Sequence, residues 1–199
     1  MNKAYYRRSL AAVLIVLIYI VASTAFAKQF PFAVLQDLSN SNSKRRIVYD
    51  AVEAAALLPF AVAYIHRASF GRGRWIPWAA IGICAALTAL LVPERLYAFL
   101  FYFIVVGCGE EFVFRSYLHN ELRKTFNFKM SVILGGLLFG FGHGYSHYMI
   151  QGGTIMDILS ELGGGIVGAL LFSTIYEKSG SIGWPILVHT CLDFVGYLI

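Results

Sequence analysis

Three short groups of ionisable residues interrupt apolar stretches of this chain. They comprise Glu110, Glu111 and Arg115, then His143 and His147, and finally His189 and Asp193. Ionisable side chains in such surroundings are costly, so each group is by default a hypothesis of function. Carboxylates and imidazoles commonly transfer protons in catalysis, and they also bind zinc. The residue types therefore predict either acid–base chemistry or a mixed nitrogen–oxygen metal site.

The first group places two adjacent carboxylates after the apolar run from Phe99 to Val106. Glu111 and Arg115 are four residues apart, and on an α-helix they share a face in the favourable order for an ion pair. Glu110 lies about 100° around the helix and has no cation close by in the sequence. This arrangement suits a general base. The alternative is that the helix ends at the membrane interface, where water solvates both acids.

The other two groups also have helical spacing. His143 and His147 are four residues apart, as are His189 and Asp193, so each pair can share a helix face. Two histidines at this spacing can bind a metal, and a carboxylate can fix the tautomer of an imidazole. Glycines on both sides of His143 weaken the helix prediction there, so a loop position for His147 is an alternative. A buried structural pair is the alternative for His189 and Asp193.

The elements that position these groups must be membrane spans. Hydrophobic residues make up 58% of the 199 residues and charged residues only 14%, whereas soluble domains carry about 25% charge. A soluble globule of this size could not bury so much apolar surface. Disordered, collagen, coiled-coil and disulfide-rich secreted proteins are excluded. The composition predicts an all-α polytopic membrane protein, a bundle of about seven (six to eight) transmembrane helices.

Seven apolar segments are predicted to be helices of one membrane domain that comprises residues 1–199. They are 9–27, 47–66, 75–92, 96–118, 131–146, 155–176 and 182–199. The longest polar stretch, from Asp37 to Arg46, is predicted to be a loop. Asp50 and Glu53 are expected at the membrane interface, and Gly164 and Gly168 are expected to allow close helix packing.

The N-terminal segment has two interpretations. Residues 1–27 end in Ala25-Phe26-Ala27, which fits a cleaved secretory signal. The run is nearly long enough to cross a membrane, so an uncleaved first span is favoured. Basic residues then predominate on the side of the N-terminus, which predicts that this end is cytoplasmic. The basic cluster from Lys44 to Arg46 is an exception, because it is predicted to lie on the opposite side. Topology explains the net charge of +5 better than nucleic-acid binding does.

The cysteines are predicted to be free thiols. They are Cys84, Cys108 and Cys191, and all three lie inside apolar segments. An odd count at such positions argues for small apolar side chains and against bridges.

Taken in order, the motifs resemble a known family of membrane proteases. The EExxxR, FxxxH and HxxxD patterns begin at Glu110, Phe139 and His189. They are similar to those of the CAAX prenyl endopeptidase and bacteriocin-processing family, also called CPBP or Abi-family intramembrane proteases. The resemblance covers about residues 96–199, which would form the catalytic core, with 1–95 as N-terminal spans. The sequence GEEFVFRSYL is its most specific part.

The resemblance implies a role for each matched residue. Glu110 would activate water with the help of His143, and His189 with residue 193 would stabilise the oxyanion. The remaining matched residues, Glu111, Arg115 and Phe139, would support the site. Family members often carry Asn where this chain has Asp193. An ionised Asp cannot donate a hydrogen bond, so here it would be protonated, orient His189 or bind a metal.

The resemblance favours a glutamate mechanism with no cofactor. Zinc is the alternative, and its ligands would then be Glu110, His143, His189 and Asp193. The implied activity is hydrolysis of a membrane-associated protein or peptide, such as a C-terminal tag, a prenylated protein or a bacteriocin-like peptide. The implied location is a bacterial inner membrane, with lipids as partners and no nucleic acid. The alternatives are a non-catalytic immunity or interaction protein and a small transporter or proton relay.

Overall fold

The computed structural model describes residues 3–30, 44–65 and 74–199, and within these ranges the chain is helical with no β-strand. Its helices are α1 (Lys3–Ala27), α2 (Lys44–Ile65), α3 (Ile76–Leu91), α4 (Pro93–Arg123), α5 (Phe128–Gln151), α6 (Ile155–Ser179) and α7 (Gly183–Leu198). Each of the seven predicted segments overlaps one of these helices. The prediction of an all-α membrane protein is confirmed.

Three of the described helices are long and apolar enough to cross a membrane on their own, namely α1, α4 and α6. Helix α3 is apolar but shorter, and α7 has only 16 residues. Helix α2 has 22 residues, but its sequence includes Lys, Arg, Asp and Glu. Large apolar side chains such as Ile18 on α1 and Val167 on α6 are exposed, as expected of surfaces that lipid covers.

The first residues of α2 were predicted to belong to a loop, but they are helical. Residues 37–43 of the predicted loop lie outside the described residues, but Lys44, Arg45 and Arg46 form the first turn of α2. Arg46 is almost completely buried, and Glu53 is buried as well. The expectation that Arg46 belongs to a polar loop is therefore wrong, whereas the expectation that Glu53 lies at the membrane interface stays a prediction. Burial of Arg46 is possible because a carboxylate four residues later accepts its hydrogen bond.

The described helices divide into two compact units. The first contains α1, α4 from Val113 onward, α5, and α6 as far as Thr174. The second contains α2, α3, α4 as far as Phe112, the end of α6, and α7. The division of the sequence into a core at 96–199 and spans at 1–95 stays a prediction.

In the first unit, α5 and α6 cross at backbone contact. A Cβ atom at Gly140 would lie 2.1 Å from the Glu161 carbonyl oxygen, and one at Gly136 would lie 2.6 Å from Ile166 Cα. A Cβ atom at Gly165 would lie 2.4 Å from the Gly136 carbonyl oxygen. Only glycine fits at these positions, as in the small-residue interfaces of membrane helices.

The glycines predicted for close packing on α6 are therefore the wrong ones. A Cβ atom at Gly164 would meet no described atom within 4 Å, and one at Gly168 would meet only Phe139 at 3.9 Å. Gly165 faces α5 instead. Gly165 follows Gly164 directly, and one residue corresponds to a rotation of about 100° around a helix.

Helix α5 is longer than its prediction, which ended at residue 146. It continues through Gly142 and Gly144 to Gln151, so His147 lies inside the helix. Gly144 faces α6, where a Cβ atom would lie 2.6 Å from Ile158 Cα. The helix ends at Gly152, which has a φ of 74° and so adopts the left-handed conformation that glycine favours at helix ends.

In the second unit, α7 packs against both α3 and α4 around an apolar core. Its most buried members include Phe99 on α4, Ile81 on α3 and Ile186 on α7. The Phe99 and Phe194 rings meet edge to face, with centroids 5.2 Å apart. This core fixes the part of α7 that carries the third ionisable group.

Candidate functional site

The backbone of α4 departs from α-helical geometry before Gly109 and again from Glu111 onward. Residues Tyr102–Cys108 and Glu111–His119 are π-helical. A π-helix closes its hydrogen bonds between residues five apart, and such segments are rare and frequent at functional sites. The α-helical spacing assumed from the sequence for Glu111 and Arg115 therefore does not describe this segment.

One contact with α7 accompanies the first π-helical segment. A Cβ atom at Gly107 would lie 2.4 Å from Thr190 Oγ1, so α7 approaches the α4 backbone at this point. Thr190 is fully buried, and its hydroxyl points to the Tyr102 carbonyl oxygen at 3.5 Å. The close approach places the neighbour of Thr190, His189, against the acids that follow Gly107.

His189 lies among three carboxylates of the second unit. Its Nδ1 is 2.8 Å from Glu111 Oε1. Its Nε2 is 3.5 Å from Glu110 Oε2 and 3.5 Å from Asp193 Oδ2. The two adjacent glutamates thus contact opposite nitrogens of one imidazole. The structure brings together these four residues of the predicted site.

The three carboxylates differ in contact length and in burial. A hydrogen bond of 2.8 Å is strong, so the Nδ1–H of His189 donates to Glu111 and fixes the ring. The exposed fraction of the side chain is 0% for Glu111, 23% for Glu110 and 35% for Asp193. Glu111 can therefore orient the imidazole, while Glu110 and Asp193 are the two acids that water and a substrate can reach.

The remaining predicted residues lie together in the first unit. The Arg115 guanidinium is 4.8 Å from the ring centroid of Phe139 and 5.0 Å from that of Phe172. Phe139 also meets the His143 ring, with centroids 4.6 Å apart. The Phe of the FxxxH pattern is thus the residue that links Arg115 to His143. Arg115 is buried and His143 is exposed, so only His143 is accessible to a ligand.

A metal site needs several ligand side chains that converge on one point. Among the described residues, no three His, Cys, Asp or Glu side chains are placed to hold a metal ion. The choice between a glutamate mechanism and the zinc alternative stays a prediction.

A second polar cluster was missed by the sequence interpretation. Arg46 Nε donates to Asp50 Oδ2 at 2.9 Å, and the Tyr97 hydroxyl donates to the same oxygen at 2.5 Å. The Arg46 guanidinium also lies 4.4 Å from the Phe101 ring centroid. The i, i+4 spacing of Arg46 and Asp50 could have indicated this pair, but no sequence pattern indicates the contact with Tyr97.

Comparison with protein families gives one match. Residues 92–195, slightly more than half of the chain, match the model of the family described as type II CAAX prenyl endopeptidase Rce1-like. The matched range contains both acids of α4, His143, His189 and Asp193. No curated protein and no solved structure matches the chain.

Proposed function

This chain belongs to the type II CAAX prenyl endopeptidase Rce1-like family, and from that premise we propose that it is an intramembrane endopeptidase of the glutamate type. The observation that carries the proposal is the placement of His189 between Glu111 on one ring nitrogen and Glu110 and Asp193 on the other. It joins a fixed proton donor to a carboxylate that a water molecule can reach. These are the parts that peptide hydrolysis requires.

Glu110 is the general base in this proposal. It is partly exposed, and its Oε2 lies 3.5 Å from His189 Nε2. A water molecule bound to Glu110 loses a proton to the carboxylate, and its oxygen attacks the carbonyl carbon of the scissile bond. Glu110 then transfers that proton to the leaving nitrogen as the C–N bond breaks. The products are one carboxyl group and one amine.

His189 stabilises the negative charge that forms on the carbonyl oxygen. Glu111 accepts the Nδ1–H. When substrate is bound, the imidazole carries a proton on both nitrogens, and its Nε2–H donates to the reacting carbonyl oxygen in place of Asp193. Preorganised donors of this kind contribute to catalysis because they need no rearrangement as charge develops. Glu111 is therefore a positioning residue, since it acts through His189.

His143 and Asp193 complete the proposal. His143 keeps the assisting role that the family resemblance implies, with its ring supported by Phe139. Asp193 Oδ2 lies 3.5 Å from His189 Nε2, where an ionised carboxylate accepts hydrogen bonds and cannot donate to an oxyanion. We therefore assign Asp193 to the orientation of His189, and we assign no step of the reaction to a metal.

The proposed substrate is a membrane-associated protein or peptide, and the family description favours a prenylated C-terminus. The proposed location is a bacterial inner membrane with a cytoplasmic N-terminus. Lipid anchoring holds such substrates at the membrane. A partly buried base on a membrane helix can therefore reach them.

The decisive experiment uses the full chain in proteoliposomes with a prenylated peptide that ends in a CAAX sequence. Mass spectrometry follows release of the C-terminal tripeptide. Glu110→Gln keeps the shape of the side chain and removes the base, so we expect a loss of about 10²–10⁴-fold. Glu94→Gln, an exposed acid on the same helix, is the matched control and should retain activity. Equal activity of the wild type and Glu110→Gln would refute the mechanism.

A second experiment identifies the natural substrate and separates the alternatives. Proteomes of cells with the wild type and with Glu110→Gln are compared for proteins with uncut C-termini. Accumulation of uncut proteins supports the endopeptidase. If a cellular phenotype is lost in Glu111→Ala but kept in Glu110→Gln, a non-catalytic interaction protein is favoured. A flux in liposomes that a protonophore abolishes would instead favour a transporter.

A further inference from the structure

Arg95, near the beginning of α4, contacts Tyr197 in the last turn of α7. Its Nη1 donates a hydrogen bond of 2.7 Å to the Tyr197 hydroxyl, and its guanidinium carbon lies 5.2 Å from the centroid of that ring. No carboxylate in the described part of the chain forms an ion pair with Arg95. A guanidinium has five N–H donors, and both side chains are partly exposed, so donors remain for an anion from outside the chain.

Aromatic rings hold the partner of Arg95 in place. The Tyr197 ring centroid lies 5.9 Å from that of Tyr102 and 6.4 Å from that of Phe194. Phe194 is itself buried, where it meets Phe99 edge to face. Tyr197 is thereby fixed, and it keeps the guanidinium beside apolar surface, where the attraction between opposite charges is stronger than in bulk water.

Helix α7, which carries Tyr197, also carries part of the candidate active site. His189 of α7 contacts both acids of α4. Asp193 lies midway between His189 and Tyr197, so the three side chains follow one another at positions i, i+4 and i+8 on one side of α7. Tyr102 of α4 spans the same stretch, because its carbonyl oxygen lies 3.5 Å from the hydroxyl of Thr190 and its ring meets Tyr197. The guanidinium therefore lies along the same contact between α4 and α7 as the proposed reacting groups.

The spacing along α7 sets a distance between these two points. Tyr197 follows His189 by eight residues within one α-helix, and at 1.5 Å per residue their levels are about 12 Å apart. An extended peptide advances about 3.3 Å per residue. A substrate that has its scissile carbonyl at His189 and runs along α7 therefore reaches Arg95 with the third or fourth residue after that bond.

We propose that Arg95 and Tyr197 form a binding site for the free C-terminal carboxylate of the substrate. Two N–H groups of Arg95 donate to the two carboxylate oxygens, a planar pairing that a C-terminal amide cannot reproduce, while Tyr197 holds the guanidinium in place. The site rests on the proposed peptidase function and adds a rule for the choice of bond, which lies three or four residues before a free carboxyl terminus. Arg95 therefore determines specificity and takes no part in proton transfer.

The test compares two prenylated peptides that end in the same CAAX sequence, one with a C-terminal carboxylate and one with a C-terminal amide. With the full wild-type chain in proteoliposomes, KM should be at least about tenfold higher for the amide, the order of a hydrogen bond to a charged group. The value of kcat should be similar for both peptides, because the carboxylate lies about 12 Å from the reacting bond.

Variants and a longer peptide locate the effect at Arg95. Arg95→Gln should raise KM about tenfold for the carboxylate peptide and leave KM for the amide peptide unchanged. Lys178→Gln is the matched control, because Lys178 is an exposed cation of the same unit and should change neither value. A carboxylate peptide with four further residues after the CAAX sequence carries its terminus past Arg95, so its KM should equal that of the corresponding amide.

Three outcomes overturn the proposal. The first is an equal KM of the carboxylate and amide peptides in the wild type, which does not depend on the folding of any variant. The second is an Arg95→Gln chain that raises KM equally for both peptides, since Arg95 would then only support the fold. The third is a preference for the carboxylate that persists in the lengthened peptide.

A binding measurement separates this site from the proposed function. The ligand is the tripeptide that ends the CAAX sequence, as the carboxylate and as the amide, and calorimetry measures its dissociation constant with the wild type. Tighter binding of the carboxylate without hydrolysis of any peptide would contradict the proposed peptidase and support the site. Hydrolysis with equal binding of the two tripeptides would contradict only the site.

Discussion

The second unit contains two groups of buried charged side chains, one around Arg46 and one around His189. Arg46 has a carboxylate within 2.9 Å and lies over the Phe101 ring. The same carboxylate accepts the Tyr97 hydroxyl. The buried cation thus has a carboxylate at hydrogen-bonding distance, which a buried ion pair requires.

The group around His189 is built differently. Three carboxylates contact one imidazole, and two of them share a single ring nitrogen at 3.5 Å. Acceptors therefore outnumber the protons that this imidazole can donate. Several ionisable groups around one imidazole are typical of sites where protons are taken up and released, which is the role that the proposed function gives this group. The comparison predicts that substitutions around Arg46 change stability, whereas substitutions around His189 change activity.

The largest effect is expected from Asp50→Ala. The substitution leaves the buried Arg46 without its carboxylate, so the free energy of unfolding should fall by about 3–5 kcal/mol. The hydrogen bonds of Asp50 go to Arg46 and Tyr97. Peptide hydrolysis per folded molecule should therefore change less than about threefold. Denaturant unfolding in micelles and the proteoliposome assay measure the two quantities.

Glu94→Ala serves as the control for Asp50→Ala, because Glu94 is an exposed acid whose removal should change neither quantity. The assignment of the Arg46 group to stability is wrong if Asp50→Ala leaves stability unchanged and abolishes hydrolysis. That result would place Arg46 and Asp50 in the catalytic machinery.

A smaller effect is expected from Glu111→Gln. The amide has the shape of the carboxylate but not its charge, so His189 loses the ionised acceptor on Nδ1. We expect kcat to fall about 10²-fold, as for other residues that orient a catalytic imidazole. KM should stay close to the wild-type value because Glu111 is completely buried and does not touch the substrate.

Nitrogen NMR of labelled histidine separates positioning from a merely structural role of Glu111. The spectrum reports which ring nitrogen of His189 carries a proton, and it should change in Glu111→Gln while the unfolding midpoint does not. Loss of folding with an unchanged histidine spectrum would show that the acid only stabilises the helices.

The sequence was sufficient for the helices and for part of the site. Each of the seven apolar segments overlaps a helix, because apolar composition and length determine where membrane helices form. Glu110, Glu111, His189 and Asp193 could be selected because buried ionisable residues are few in such a chain. Their catalytic roles stay predictions.

The details that failed depend on contacts between helices. The π-helical form of Glu111–His119 has no sequence pattern, so the α-helical geometry assumed for this segment was wrong. The pairing of Glu111 with Arg115 stays a prediction. Arg46 was assigned to a loop because a buried arginine becomes favourable only with its partners in place. Gly164 was predicted to allow close helix packing, but Gly165 is the residue that does so. Only the crossing with α5 decides which face of α6 is covered.

The smallest effect is expected at Asp193, the position at which the family resemblance implies Asn. Of the three acids around His189, Asp193 is the most exposed, and its Oδ2 lies 3.5 Å from Nε2. The side-chain oxygen of Asn can also accept from His189, and its amide nitrogen can donate to an oxyanion. Asp193→Asn should therefore retain activity within about threefold in the proteoliposome assay, whereas Asp193→Leu, which can do neither, should lose about tenfold, the order of one hydrogen bond. A loss in Asp193→Asn as large as in Glu110→Gln would mean that the negative charge itself is required, and Asp193 would then be a second base beside His189.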